Sequence, residues 1–351
     1  MSNEAAPRIL ICRMSSLGDT VLTMPIACAL RDHFPKAHLA WLVEKHAASL
    51  IREHRALDEV LQVEAGWSES WSGVLATARM LQTHHFDVMI DCDGTTRTGM
   101  LGWLAAIGQR IGFSRPHSNL LNRCFNTEQV TSVFDHLTDR SLELLIPLGI
   151  HSPKVRWHLP IPAAARRWAT SWTRNSPNPK LAILDPASGL NSKHWDATNF
   201  AKVACHLRSA YQYRSIICWS THRERAFANR IVDQSRCSAS LAPHTDLQHL
   251  AALLEQSDLF VSGAIEPLHV SVALGTPTIN LHSATTDRNY GTYRQLTLQS
   301  GGDDESSNHF GGSGQRSGTN RKKPTAHPIT FERVCDAVAE IESKQRLLRA
   351  S

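Results

Sequence analysis

Three short stretches carry side chains that chemistry can use. The first is Ser16-Leu17-Gly18-Asp19, which follows the apolar run Arg8–Arg13 and precedes a helical pattern. A carboxylate placed there stands at the carboxyl end of a strand and can take a proton from a bound hydroxyl. The same aspartate would also serve as a helix cap. The second is Cys92-Asp93-Gly94, with Arg97 on the first turn of the following helix. Arg97 can hold an anionic group of a ligand, or form a surface pair with Asp93. The third is Ile183 to Trp195, ILDPASGLNSKHW. It runs from the end of a strand through Ser188-Gly189 to Lys193 and a helix beginning near Thr198. Loop N–H groups, a helix N-terminus and an ammonium group make a cradle for phosphate. An ordinary strand-to-helix loop with a surface lysine would read the same way.

These residues need a scaffold, and the hydrophobic pattern supplies one. Short β-rich apolar runs alternate with helical spacings through both halves of the chain, which predicts α/β structure with parallel sheets covered on both faces. Ligands of such sheets sit at the carboxyl ends of the strands. The first helix is expected over Thr20–Phe34, ending before Pro35, and residues 114–132 read as loose and polar. Trp67 and Trp71 fall in a connecting loop. There they could stack on a sugar, dip into lipid headgroups or clasp the loop. Pro153, Pro160 and Pro162 mark the crossing between halves. The expected domains are 1–160, facing the acceptor, and 161–328, holding the donor, with a Gly/Ser-rich flexible insertion at 298–325. A C-terminal helix within 329–351 then packs back on the body.

Composition excludes several classes. A chain of 351 residues is long enough for two cores, and 42% hydrophobic with 20% charged residues is a globular balance. The net charge of +5 favours anionic ligands or a membrane surface but is too diffuse for nucleic acid. No run of eighteen apolar residues would span a bilayer, and MSNEAAPRILIC has no basic region ahead of its apolar run. A cytoplasmic protein, at most peripheral to the inner face of the membrane, is therefore expected. The eight cysteines are scattered without C-x-x-C spacing, which predicts reduced thiols and no metal site. No G-x-G-x-x-G follows the first strand, against a nicotinamide-dependent oxidoreductase.

Four segments in order resemble the ADP-heptose:lipopolysaccharide heptosyltransferases, glycosyltransferase family 9. They are RILICRMSSLGDTVLTMPIACALRDHFPKAHLAWLVEK, FDVMIDCDGTTRTGML with QRIGF, DPASGLNSKHWDATNFAKV, and DLQHLAALLEQSDLFVSGAIEPLHVSVALGTPTINLHSATTDRNYGTY. The resemblance runs nearly end to end outside 298–325. It implies the GT-B type: two Rossmann-like parallel-sheet domains facing a central cleft. It also implies an inverting transferase, using neither metal nor cofactor, that moves heptose from ADP-heptose or a similar nucleotide sugar to a glycolipid acceptor of the lipopolysaccharide core. It gives Asp19 the role of catalytic base, with Ser16, Gly18, Asp93 and Arg97 on the acceptor side. Ser188, Gly189 and Lys193 would meet the diphosphate, Glu224 the ribose or adenosine end, and Glu266 and His269 belong to the last motif. That motif departs from the family form, which has Asp or Asn, then Thr and Gly, where this chain has Ala264-Ile265-Glu266. Glu266 at a helix N-terminus would repel a diphosphate by roughly 1–4 kcal/mol per charge pair at about 4 Å. The rival hypothesis is a degenerate, non-catalytic member that binds a glycan or a protein partner.

Overall fold

The computed structural model describes residues 6–14, 16–174, 180–187, 195–283, 293, 296–300 and 329–350. The chain divides into two units, Met1–Pro160 and Ile161–Ser351. In the first, strands β1 (Arg8–Cys12), β2 (His38–Glu44), β3 (Glu59–Val63), β4 (Val88–Asp91), β5 (Gln109–Phe113) and β6 (Glu128–Val130) form one sheet. Its order is β3-β2-β1-β4-β5-β6, and every pairing is parallel. The order reverses between β1 and β4, where Cys12 lies opposite Asp91. Such a switch point opens a crevice at the strands' carboxyl ends. Ile9, Leu10, Ile11 and Cys12 are all buried, because helices cover both faces of the sheet.

Right-handed crossovers decide which helix covers which face. Helices α1 (Leu17–Thr23) and α2 (Pro25–His33) lie on one side; α3 (Lys45–Ala48) is a single turn after β2. Helices α4 (Trp71–Gln82), α5 (Thr96–Leu104) and α6 (Leu120–Phe125) lie on the other. Val74, Ala78 and Leu81 of α4 and Leu101 of α5 share one core with Leu10, Cys12, Ala40 and Leu42. Trp67 is buried in that core, while Trp71 opens α4 and is exposed, so only the first of the two tryptophans acts as a clasp.

The single helix expected over Thr20–Phe34 is two. Pro25 has no N–H to donate and takes the first position of α2, so α1 stops at Thr23. Residues 114–132, expected to be loose, contain both α6 and β6. These elements are too short to show a period. Their partners hold them: β6 pairs with β5, and Asn122 Nδ2 in α6 donates to the buried Asp91 Oδ2 at 2.6 Å. Helix α7 (Leu137–Glu143) packs beside α1 and α2, with Thr138 Oγ1 donating to Leu22 O at 3.0 Å.

The second unit repeats this topology. Helix α8 (Ala163–Thr173) precedes β7 (Lys180–Asp185), which is followed by α9 (Ala197–Tyr211), β8 (Tyr213–Ile217), α10 (His222–Gln234) and β9 (Ala239–Leu241). Then come α11 (Leu247–Glu255), β10 (Leu259–Ser262), α12 (Ile265–Leu274), β11 (Thr278–Ser283) and β12 (Leu296–Ser300). The order β12-β11-β10-β7-β8-β9 is the first sheet's order with each strand replaced by its counterpart. Its switch point sets Asp185 opposite Ser262. Leu298 to Ser300 pair with Leu281 to Ser283, so the first three residues of the expected flexible insertion are strand instead. The alternation Leu296-Thr297-Leu298 and a parallel neighbour suffice for an edge strand. The rest of that stretch, 301–325, lies outside the described residues. Helix α13 (Phe331–Ala350) lays Val334, Ala337, Val338 and Ile341 into the second core. Glu342 fastens it, accepting from Lys180 Nζ at 2.5 Å and Tyr213 Oη at 2.6 Å.

Candidate functional site

At the first switch point, β1 delivers Arg13 and Met14 to the edge of the sheet, and Ser16 turns the chain into α1. Ser16 Oγ accepts the Asp19 N–H at 3.4 Å, and Ser16 O accepts the Thr20 N–H at 3.0 Å. The cap is therefore Ser16, not Asp19. Asp19 is the third helical residue, which leaves its carboxylate available. Gly18 is buried in the same turn.

Asp19 Oδ2 lies 2.5 Å from Arg13 Nη2, and Arg13 Nη1 lies 3.2 Å from Asp93 Oδ1. The same Nη1 donates to Cys92 O at 2.7 Å, and Met14 N donates to Asp93 Oδ2 at 3.0 Å. One buried guanidinium thus sits between two carboxylates that are 74 residues apart in sequence (93 minus 19). Their side chains are 22% and 11% exposed, so Asp19 is the more open to a ligand. Burial pushes the Asp93 carboxyl up to about 7; Arg13 pulls against this, and the charges of Asp91 and Asp19 add to it.

Asp91 shapes the loop that carries Asp93. Its Oδ1 accepts the N–H groups of Asp93 and Gly94, both at 3.2 Å, and burial raises its own pKa above the usual range. Gly94 has φ +65°, and a Cβ there would lie 2.4 Å from His117 O. Arg97 does not pair with Asp93. Asp93 turns inward to Arg13 and the Met14 N–H, whereas Arg97 sits on the exposed first turn of α5 and donates to Ser68 Oγ at 3.0 Å.

In the second unit Asp185 ends β7 at the switch point. Its Oδ2 accepts Ser262 Oγ at 2.9 Å and its Oδ1 the Ala187 N–H at 3.1 Å; Ser262 Oγ in turn accepts the Ala264 N–H at 2.9 Å. Burial pushes Asp185 up to about 6, with the Glu224 charge adding and the two hydrogen bonds opposing. Ser188, Gly189 and Lys193 lie outside the described residues. The far side of their loop is anchored: buried Trp195 donates from Nε1 to Ile329 O at 3.0 Å, and Asp196 caps α9.

Glu224 has a structural task. It is the third residue of α10 in a capping box with Thr221, and its Oε2 accepts Ser220 N and Ser220 Oγ at 2.7 Å and Thr221 N at 3.2 Å. Burial pushes its carboxyl up, but these bonds outweigh that and hold it below the usual range. Ala264 begins α12 without a side-chain cap, Glu266 stands exposed in its first turn, and His269 is buried.

The residue that sequence reasoning passed over is Arg13. The signal was present: a charge directly after a five-residue buried strand has to leave the sheet at its carboxyl edge. Asp185 and Ser262 were passed over for the opposite reason. They look like ordinary strand ends until the sheet order sets them side by side.

The model of glycosyltransferase family 9 (heptosyltransferase) matches residues 74–313. The chain is similar to the lipopolysaccharide core heptosyltransferase OpsX of Haemophilus influenzae, 23% identical over 283 residues that cover 80% of each chain. It is likewise similar to lipopolysaccharide heptosyltransferase 1 of Escherichia coli K12, 23% identical over 296 residues, 82% of this chain and 91% of that one. Among solved structures, E. coli heptosyltransferase WaaC with ADP superposes with a TM-score of 0.71 at 20% identity, covering 96% of this chain and 98% of the other. A family 9 glycosyl transferase from Veillonella parvula gives 0.72 at 23% identity, over 84% and 85%. These superpositions establish the GT-B type of fold, two Rossmann-like units in one chain.

Proposed function

This chain belongs to glycosyltransferase family 9, the heptosyltransferases, and from that premise we propose that it transfers heptose from ADP-heptose to a lipopolysaccharide-core acceptor, with inversion and without a metal ion. The observation that carries the reading is the Arg13-held carboxylate of Asp19 at the first switch point. The similarity to transferases whose names specify lipopolysaccharide, and to a structure holding ADP, supports the choice of substrates.

In this reading an acceptor hydroxyl attacks the anomeric carbon from the face opposite the diphosphate. The new C–O bond forms as the bond to the β-phosphate breaks, through an oxocarbenium-like state. Asp19 takes the hydroxyl proton, and Arg13 holds the carboxylate in place. ADP leaves with the added negative charge, which Lys193 and the loop N–H groups of Ser188 and Gly189 neutralise in place of a metal. Glu224 Oε2 is engaged by its cap, so a contact with the ribose falls to Oε1. Ser16, Gly18, Asp93 and Arg97 line the acceptor side.

The test is Asp19→Ala. Losing a positioned general base should cost roughly 10²–10⁴-fold in turnover, while calorimetric affinity for ADP-heptose stays as in the wild type. Retained turnover would remove Asp19 from the mechanism. One observation favours a second reading: the exposed Glu266 in the first turn of α12, where the family form has glycine. A wild-type protein that binds neither ADP nor ADP-heptose at millimolar concentration would favour a non-catalytic member.

A further inference from the structure

Apart from Arg97, the outer surface of α4, α5 and α6 has properties that the reaction does not use. From Ser70 to Phe86 and again from Gly94 to Thr127 the sequence contains no Asp or Glu, although Arg79, Arg97, Arg110, Arg115 and Arg123 fall there. Arg110 folds inward, donating to Phe125 O and Ile107 O. Arg79, Arg97 and Arg115 are exposed and Arg123 is half-buried. The same layer displays apolar side chains to solvent. Trp103 is 56%, Leu120 62% and Leu121 57% exposed, and Trp71 and Leu75 of α4 are exposed as well. These five are among the eleven large apolar side chains exposed among the described residues, so the layer is enriched in them.

The apolar groups are contiguous at the α5–α6 corner. The Trp103 and Phe125 rings stand 5.8 Å apart, and Leu121 and Phe125 share one helix face at i and i+4. An exposed apolar patch of this kind marks a contact surface. Its rim decides the partner. A rim rich in arginine around tryptophan and leucine, with Glu69 as an exposed acidic neighbour of Trp71 in sequence, matches a bilayer interface, where indole rings sit at headgroup level and arginines meet lipid phosphates.

We propose that the outer face of α4, α5 and α6 docks on an anionic lipid bilayer. This rests on the proposed reading only in its purpose, which is to bring the enzyme to an acceptor anchored in lipid. The face covers the side of the first sheet opposite α1 and α2, and the switch point opens at the sheet's edge, so docking leaves Asp19 outside the contact.

The experiment is co-sedimentation of the full chain with vesicles of phosphatidylglycerol and phosphatidylethanolamine, and with phosphatidylcholine vesicles as the neutral control. Wild type should sediment with the anionic vesicles, release as salt rises, and ignore the neutral ones. The triple variant Trp103→Gln, Leu120→Gln, Leu121→Gln should partition at least tenfold more weakly while keeping wild-type turnover on a water-soluble acceptor. Leu120→Gln alone repeats the test with the smallest change to the fold, and Arg115→Glu should weaken binding most at low salt. Sedimentation of the triple variant equal to wild type would overturn the proposal. So would a dimer in light scattering that the triple variant dissolves, since the face would then belong to a second copy. Failure of the wild type to turn over any soluble acceptor would count against the enzymatic reading and leave the vesicle result standing.

Discussion

At the scale of single residues, the first switch point is a problem in sharing one positive charge. Arg13 has two carboxylate partners, and Asp93 is the more buried of them. A carboxyl raised to about 7 holds its proton in the folded state over a range where the unfolded chain has lost it. Its stabilising contribution is therefore complete below about pH 4 and declines as pH rises toward 7. Asp185, raised to about 6, acts in the same direction over a narrower window. Each group contributes a slope of up to roughly 1.4 kcal/mol per pH unit inside its window. Asp93→Asn should remove one such slope, so the stability difference between variant and wild type, measured by urea unfolding at several pH values, should change between pH 4 and 7 and level off above. A difference that stays constant with pH would mean that Asp93 titrates with an unperturbed pKa. Arg13 was legible in the sequence as a charge at a strand end. Its two partners were not, because a sequence shows no distance between residue 19 and residue 93.

At the scale of elements, short connections do the positioning. The loop after β4 turns through Gly94 at φ +65°, wrapped around the Asp91 carboxylate and under His117 O. An alanine there meets both a disfavoured backbone region and a carbonyl at 2.4 Å. Gly94→Ala should destabilise the first unit by roughly 1–3 kcal/mol, and it should lower turnover by displacing Asp93 and Arg13. Thermal unfolding and kinetics on the same preparation would test this, and unchanged values for both would show that the loop accommodates a side chain. The strands and long helices on either side were readable from period alone. Helix α6 and strand β6 were not, since six and three residues carry no period and a side chain from β4 fixes the first.

At the scale of the whole molecule, the two units share one strand order, and each places a buried aspartate at its switch point, Asp91 and Asp185. The second unit needs the end of the chain to complete its core. Val334, Ala337, Val338 and Ile341 of α13 share a cluster with Ala182, Leu184 and Phe200, and Glu342 is bonded to Lys180 and Tyr213. Truncation after residue 328 should expose that cluster and leave Glu342's two partners without an acceptor. Hydrogen exchange should then show the second unit losing amide protection while the first keeps it. Equal protection in both would make α13 an accessory.

The sequence alone determined the alternation of strands and helices, the two-part division near residue 160, the family resemblance and the place of Asp19 in the turn after the first strand. Each of these is carried by residues close together in the chain, through period, turn chemistry or local motif. Only the tertiary structure decided that Arg13 joins Asp19 to Asp93, that Arg97 turns to Ser68, and that Asp185 meets Ser262. Those pairings depend on which strand lies beside which. Parallel strands become neighbours through crossovers of many residues, and the crossover, not the local pattern, sets which side chains arrive at the same edge.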